Sequence, residues 1–422
     1  MSVNQKYHQA VNFLESIMNL PIKDYLLDLE DRSFYIDRLY YLLKLLGNPQ
    51  NSLKFIHVTG TSGKGSTINY LHEILNQAGF KIGSYFSPHP TTAIERIKIN
   101  DKYISPNEFT KLVNLIKPYF DKLILKSPFG KTSYFETFLA LAFLYFKQQK
   151  CDYVILEAGL GGTHDATNVI KNTKLAIITN INYDHAEILG KSLTKIATNK
   201  AGIIKKGSTL ITAESRPKLL KIFENKCYKI EAKYLFVKVD QVNANQTLAW
   251  VAAKKLNIDD KFIDAGLKKA KLPCRFETIQ TSPKVIIDGA HNPAKLAYLA
   301  NKIKELKYKK LYLVLGMSEN KDIKNSLKMI VPLADSLYLT RFLMSHRKTA
   351  DLKKLYTEAK NINPKLPTSL YTDPTQALKN ALKLAKSDDL VVVTGSFFLS
   401  GELRQNWISE EYILKHRISF KK

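Results

Sequence analysis

The chain is poor in cysteine, poor in acidic residues and without a long apolar run. Of its 422 residues only 3 are cysteine. Cys151, Cys227 and Cys274 lie far apart with no CxxC or CxxH spacing, which leaves neither a disulfide framework nor a zinc site. The longest apolar stretch, FLALAFLYF (138–146), has the length of a core helix and falls short of a bilayer span. The opening MSVNQKYHQAVNFLESI carries no apolar segment after its charges, so a cytoplasmic protein with no membrane partner is expected. No low-complexity segment and no repeat with a period of roughly 20 to 50 residues is present. Against 38 Asp and Glu stand 64 Lys and Arg, a net charge of +26 that suits a polyanion. The basic residues are scattered singly, with no block interleaved with aromatics, so nucleic acid is not the expected partner. ATP or a polycarboxylate fits the charge equally well.

What is present is a core and an alternating pattern. Apolar residues make up 45% of the chain, and its length exceeds one ordinary domain. Six short apolar runs each end in small or polar residues: KFIHV, DYVILE, LAIIT, KVIID, LYLVLG and LVVV. Helical periodicity fills the spaces between them, as in 293–305 and 374–386. Val- and Ile-rich runs alternating with helices predict parallel sheets buried on both faces. Ligands gather beyond the carboxyl ends of such strands, where this chain places its Gly, Asp, His and Asn residues. A region of mixed character, 205–283, separates the first three runs from the last three. Its turn-forming end LPCRFETIQTSP (272–283) is the expected linker, giving domains at 1–278 and 279–422. The first 50 residues read as helices preceding the first strand.

The stretch HVTGTSGKGST (57–67) joins the first run to a helical segment. It departs from GxxxxGK[ST], because Val58 stands where that pattern has glycine. The physics is retained. Gly60, Gly63 and Gly65 let backbone amides face an anion, and the following helix offers its positive end. Thr61 and Ser62 complete the loop, Lys64 would reach β- and γ-phosphate oxygens, and Ser66 or Thr67 could hold magnesium or a phosphate.

The other loops carry acids and histidines. Glu136 opens an otherwise apolar helix and reads as a structural dipole partner. Glu157 ends a buried run ahead of AGLGG, where backbone can approach a ligand, and a carboxylate there suits Mg²⁺. Asp184 and His185 follow the next run, with His185 the candidate ligand. Lys200 in TNKAGI reads by itself as one more solvated lysine. Asp288 of IDGAHNP ends the first strand of the second domain, where it could hold a ribose or an ammonium. His291 and Asn292 open the following helix, with Asn292 as its cap and Pro293 in its first turn.

With these motifs in order, the chain resembles the folylpolyglutamate synthase and dihydrofolate synthase family of the Mur ligase superfamily. The likeness runs through LLKLLGNPQNSLKFIHVTGTSGKGST, the SPH of Ser87–His89, FETFLALAF, VILEAGLGG, DATN, YDH, KAGI, RFE, IDGAHNP, LGMSENKD and TGSFFLSGELR. The resemblance implies an α/β fold: an amino-terminal P-loop ATP-binding domain with a central, mostly parallel sheet, and a smaller Rossmann-like carboxyl-terminal domain, with catalysis in the cleft between them. It implies that Gly60–Ser66 cradle phosphates and that Ser87, Glu157 and His185 hold magnesium. Lys200 would be carbamylated and hold a second ion, and Lys64, Lys200 and His185 would be catalytic. Asn243, Arg275 and Asp288 would contact the nucleotide. The implied reaction is ATP-dependent addition of L-glutamate to a folate through an acyl phosphate, by a monomer, with two Mg²⁺ ions. Dihydropteroate stays open as a second acceptor beside reduced folates.

Three positions depart from the family pattern: Thr163 follows GLGG where Arg is usual, Asn199 precedes KAGI where Glu is usual, and Cys274 replaces the Gly of PGR. The first two leave a paralogue with a different carboxylate acceptor as an alternative. The third raises the question of backbone conformation, because a glycine there could use a positive φ. A nucleotide-dependent nucleic-acid binder is the alternative from another class.

Overall fold

The alternation of apolar runs and helices resolves into two sheets. The computed structural model describes residues 1–17, 34–239, 243–343 and 348–421, with all their side chains but that of Asp121. The first sheet contains β1 (Phe55–Thr59), β2 (Ile82–Tyr85), β3 (Ile97–Ile99), β4 (Lys102–Tyr103), β5 (Tyr153–Glu157), β6 (Thr173–Ile178), β7 (Thr209–Thr212) and β8 (Lys233–Phe236). Their order is β4-β3-β2-β5-β1-β6-β7-β8, with β3 and β4 antiparallel at one edge and the rest parallel. β1 is wholly buried and lies between β5 and β6, pairing Val58 with Glu157 and Thr59 with Ile178. Three parallel neighbours end on the same edge, so the segments after Thr59, Glu157 and Ile178 emerge side by side.

Both faces of this sheet are covered. The helix Lys64–Gln77 presents Ile68, Leu71, Ile74 and Leu75 to Ile56, Val58 and Ile155, and helices Ala244–Lys255 and Asp260–Lys269 extend the same layer. A Cβ on Gly266 would lie 2.4 Å from the backbone of Ile74, so only glycine permits this helix crossing. The helix Tyr134–Gln148 is buried from Glu136 to Phe146, as the apolar FLALAFLYF stretch predicts, and its Phe143 ring packs edge-on against Phe55 at 5.5 Å. Each such buried Leu, Ile or Phe contributes about 1.5–3 kcal/mol through removal from water. Glu136 proves structural. It completes a capping box with Ser133 and receives two bonds from the buried Arg38 guanidinium. Of the expected amino-terminal helices, Val3–Ser16 and Phe34–Leu45 are observed, and 18–33 lie outside the described residues.

The second sheet comprises β9 (Glu277–Thr281), β10 (Lys284–Ile287), β11 (Leu311–Leu315), β12 (Ser336–Leu339), β13 (Thr368–Leu370) and β14 (Leu390–Thr394), ordered β13-β12-β11-β14-β10-β9. Only β9 runs antiparallel to its neighbour among these. The chain therefore divides into two compact units, Met1–Pro88 with Ala93–Ala270, and His89–Thr92 with Lys271–Lys422. The stretch 272–283, expected as a linker, instead contributes β9 to the second sheet, and residue 278 falls inside that strand. Its turn residues conceal a strand because β9 is an edge strand, partly exposed and polar between Glu277 and Thr281. No helix among the described residues is long and apolar enough to cross a membrane.

Candidate active site

The phosphate-type loop is built by β1 and braced by the segment after β6. Gly63 takes φ +82° and heads the helix beginning at Lys64, so the amides of its first turn, which have no partner within the helix, face outward from the strand end. Gly60 cannot carry a side chain, because a Cβ there would lie 1.8 Å from Thr179 Oγ1. Thr179 Oγ1 donates to the Ser62 carbonyl at 2.6 Å, and the Ser62 amide donates to Asn180 Oδ1 at 3.0 Å. The Thr61 amide donates to the Asn180 carbonyl at 3.0 Å, and its hydroxyl exchanges bonds with the backbone of Asn182 at 2.9 and 3.0 Å. The loop is thus held in shape before any anion arrives, which lowers the ordering cost of binding.

Two lysines converge on this loop. Lys64 Nζ and Lys200 Nζ donate to the carbonyl oxygen of Gly60, at 3.2 and 3.1 Å. Lys200 is buried, at 4% exposure, although lysine alone in sequence reads as a solvated residue. The helix Leu193–Lys200 brings it back across 140 residues of chain.

Glu157 and Ser87 also meet. The Ser87 amide donates to Glu157 Oε2 at 3.0 Å, and the carboxylate is buried at the end of β5. His185 takes φ +52° ahead of a short helical turn, with Asp184 and Glu187 carboxylates each 3.8 Å from its ring. No three His, Cys, Asp or Glu side chains come together as a ready-made cation site among the described residues. A buried carboxylate with a serine beside it, next to a phosphate loop, fits a hard cation that draws its remaining oxygens from phosphate and water.

The glycine loop after β5 is pinned from behind by a polar chain. Thr59 Oγ1 donates to the Gly161 carbonyl at 2.5 Å. The Asp165 carboxylate accepts from the amides of Leu160 at 2.7 Å and Thr167 at 2.9 Å, and from the Thr167 hydroxyl, which also meets His57 Nε2 at 2.8 Å. Burial pushes the Asp165 carboxyl up from its ordinary value and, aided by Lys205, pushes His57 down to about 3. His57 is therefore a neutral imidazole that braces the loop from inside the sheet.

Asn245, two residues after Asn243, lies beside the phosphate-type loop. Asn243 precedes the helix Ala244–Lys255 without capping it through its side chain, whereas Asn245 Oδ1 lies 3.4 Å from Thr67 Oγ1 and fills the space beside Gly63. In the second unit, Asp288 Oδ2 accepts from the Phe276 amide at 2.7 Å and Oδ1 from the Ala290 amide at 2.8 Å, so each oxygen keeps one lone pair for a ligand. Burial raises the Asp288 carboxyl against the opposing pull of Arg275. Arg275 lies over the Phe397 ring at 4.6 Å and donates to the Cys274 carbonyl at 3.0 Å. Asn292 caps the helix Pro293–Lys304 through the Lys295 amide, with Pro293 at its first position as the motif predicts. His291 Nδ1 lies 2.8 Å from the Gly289 carbonyl and therefore carries the proton, leaving Nε2 to accept from Lys295 Nζ at 3.1 Å.

Thr179, Asn180, Asn182, Asp165 and Asn245 escape sequence reasoning. Each is a small polar residue of a common turn-forming type, and the one available signal is that each follows an apolar run or opens a helix.

Two family models tile the chain: the Mur ligase middle domain matches residues 58–268, and the Mur ligase, glutamate ligase domain matches 274–397. A dihydrofolate synthase/folylpolyglutamate synthase of Bacillus subtilis (strain 168) is 32% identical over 412 residues, covering 88% of this chain and 94% of the relative. The structure of Mycobacterium tuberculosis folylpolyglutamate synthase complexed with ADP superposes with a TM-score of 0.86 at 26% identity, covering 96% of this chain and 99% of the other. A bifunctional folylpolyglutamate synthase/dihydrofolate synthase with Mn, AMPPNP and L-glutamate bound gives 0.78 at 28% identity, covering 90% of this chain and 96% of the other. The chain belongs to the folylpolyglutamate synthase and dihydrofolate synthase family of the Mur ligases, a family of two-domain α/β ligases.

Proposed function

We propose that this protein joins L-glutamate to a folate-type carboxylate at the expense of ATP, acting as a folylpolyglutamate synthase with dihydropteroate as a second acceptor. The observation that carries the reading is the meeting of Lys64 and Lys200 on the Gly60 carbonyl, at the first turn of the helix after β1. Two ammonium groups around one carbonyl, beside outward-facing amides, make a site for a multiply charged anion such as a triphosphate. The relatives named above carry the same activity in their names, and two of them were determined with nucleotides.

In this mechanism the acceptor carboxylate attacks the γ-phosphorus of ATP, and the bond to the β-phosphate oxygen breaks to release ADP. The amine of glutamate then attacks the acyl carbon, loses a proton, and phosphate departs as the amide forms. Both steps gather negative oxygens. Lys64 and Lys200 oppose that charge from fixed positions, and the first-turn amides of the helix at Lys64 supply preorganised donors. Glu157, Ser87 and His185 would hold a divalent cation, whose contribution is to neutralise phosphate charge. Asn243, Arg275 and Asp288 would contact the nucleotide. The same reading has a cytoplasmic monomer that uses neither nucleic acid nor membrane.

The test is a product mass measurement after incubation with MgATP, L-glutamate and either tetrahydrofolate or dihydropteroate. A mass gain of whole glutamyl units is expected, with phosphate released only when acceptor and glutamate are both present. Vigorous phosphate release without any pterin acceptor would reject the reading.

A further inference from the structure

The carboxyl-terminal end of the helix Leu193–Lys200 is closed by the glycine loop that follows β5. The Asn199 carbonyl accepts from both the amide of Thr163, at 2.8 Å, and its hydroxyl, at 2.9 Å. The side chain of Asn199 turns the other way, and its Oδ1 accepts from the Gly162 amide at 2.9 Å. The fit leaves no slack. A Cβ on Gly161, which takes φ +71°, would lie 2.2 Å from Asn199 Oδ1, and one on Gly162 would lie 2.8 Å from the carbonyls of Asn199 and Lys200. From the opposite side, a Cβ on Gly202 would lie 2.2 Å from Thr163 Oγ1.

These bonds close a circuit. Thr59 Oγ1 holds the Gly161 carbonyl, Gly162 holds Asn199, and Lys200, the next residue, holds the carbonyl of Gly60, which follows Thr59 in the chain. An error in the angle between loop and helix would therefore move the Lys200 ammonium relative to the phosphate loop. At a site that works by placement of charge, a displacement of about 1 Å can cost roughly a hundredfold in rate.

We propose that Asn199 is a positioning residue: its side-chain carbonyl latches the glycine loop to the helix end and thereby sets where Lys200 meets the phosphate loop. The kinetic part of this inference rests on the proposed ligase activity; the structural part does not. Asn199→Asp keeps an acceptor at the same position. Asn199→Ala removes it, and Asn199→Ser is too short to reach Gly162. Ile196→Val, one turn earlier in the same helix and fully buried, lowers stability without touching the latch.

Hydrogen exchange of the Gly162 amide and steady-state kinetics are measured at a temperature where every variant is folded by circular dichroism. In Asn199→Ala and Asn199→Ser, Gly162 exchange rises at least about tenfold and kcat falls about tenfold, while KM for ATP stays within about threefold. Asn199→Asp restores both quantities to within about threefold of wild type, and Ile196→Val changes neither. Unchanged Gly162 protection in Asn199→Ala overturns the proposal. So does a loss of kcat in Ile196→Val equal to that in Asn199→Ala, or a failure of Asn199→Asp to restore protection. If the wild-type protein releases no phosphate with any folate acceptor, the ligase reading fails and Gly162 exchange alone decides the latch.

Discussion

Lys64 and Lys200, separated by about half of the first unit's sequence, share one acceptor: the Gly60 carbonyl oxygen lies 3.2 Å from the first ammonium and 3.1 Å from the second. Two cations this near to one oxygen repel each other, and the repulsion is relieved when an anion enters between them. The loop therefore stores an electrostatic preference for a polyanion, and each lysine can be tested for it separately.

Lys64→Ala is expected to cut turnover by at least about a hundredfold, the usual cost of losing a preorganised donor to developing charge. Lys64 sits at the first position of its helix, where alanine is well tolerated, so the melting temperature should move by no more than a few degrees. A kinetic assay paired with thermal melting checks it; near-wild-type turnover would remove the lysine from the mechanism.

For Lys200→Met the expected outcome is a loss of affinity with little change in stability. Replacing a buried cation that lies near another by an apolar chain of similar length should cost the unliganded protein little stability. Affinity for MgADP should fall at least about tenfold. Calorimetric titration with MgADP, set beside a urea melt, measures both. Equal affinity in variant and wild type would show that the Lys200 charge is not directed at the nucleotide.

The stability of the first unit should decline in mild acid through His57. Burial lowers its folded-state pKa to about 3 from an ordinary 6.5, so below about pH 6.5 the unfolded chain binds a proton that the folded chain refuses. Stability contributed by the neutral ring is full above that pH and is lost as pH falls, by about 1.4 kcal/mol per unit, until about pH 3. His72 and His291 are lowered in the same direction. Urea unfolding of His57→Gln between pH 6 and 4 should accordingly show a slope smaller by about one proton, and an unchanged slope would contradict the assignment.

At Cys274 the usual ranking of alanine over glycine should invert. This buried residue takes φ +55°, in the left-handed region, with its amide held by Glu277 at 2.9 Å and its carbonyl by the Gly289 amide at 2.9 Å. Both Cys274→Gly and Cys274→Ala lose the thiol, but glycine alone is at ease with that φ. Cys274→Gly should be the more stable of the two by about 1 kcal/mol in urea unfolding.

The backbone at Cys274 illustrates how far the sequence could be read. The departure from a PGR pattern raised the question of a positive φ, and the structure answers that cysteine adopts it, fixed by the buried Glu277–Arg404 ion pair next to it. Glu136 was legible as structural from its place in a first turn, but its partner Arg38, 98 residues away, was not. Thr163 and Asn199 read as departures from the same family pattern, and the structure shows that they touch each other. Neither β9 nor the bracing asparagines 180 and 182 could be read, since edge strands and loop amides carry no periodicity to recognise.

The sequence by itself determined the alternation of buried strands and helices, and with it the edge on which the glycine, acid and lysine clusters emerge. Those features follow from spacing between near neighbours, which residue type and period encode directly. Tertiary structure alone decided that Lys200 turns inward to Gly60, that Asn199 holds Gly162, and that Asp288 spends one lone pair of each oxygen on its own backbone. Such pairings depend on strand order. Placing β1 between β5 and β6 is a property of the whole packed sheet, and local spacing does not specify it.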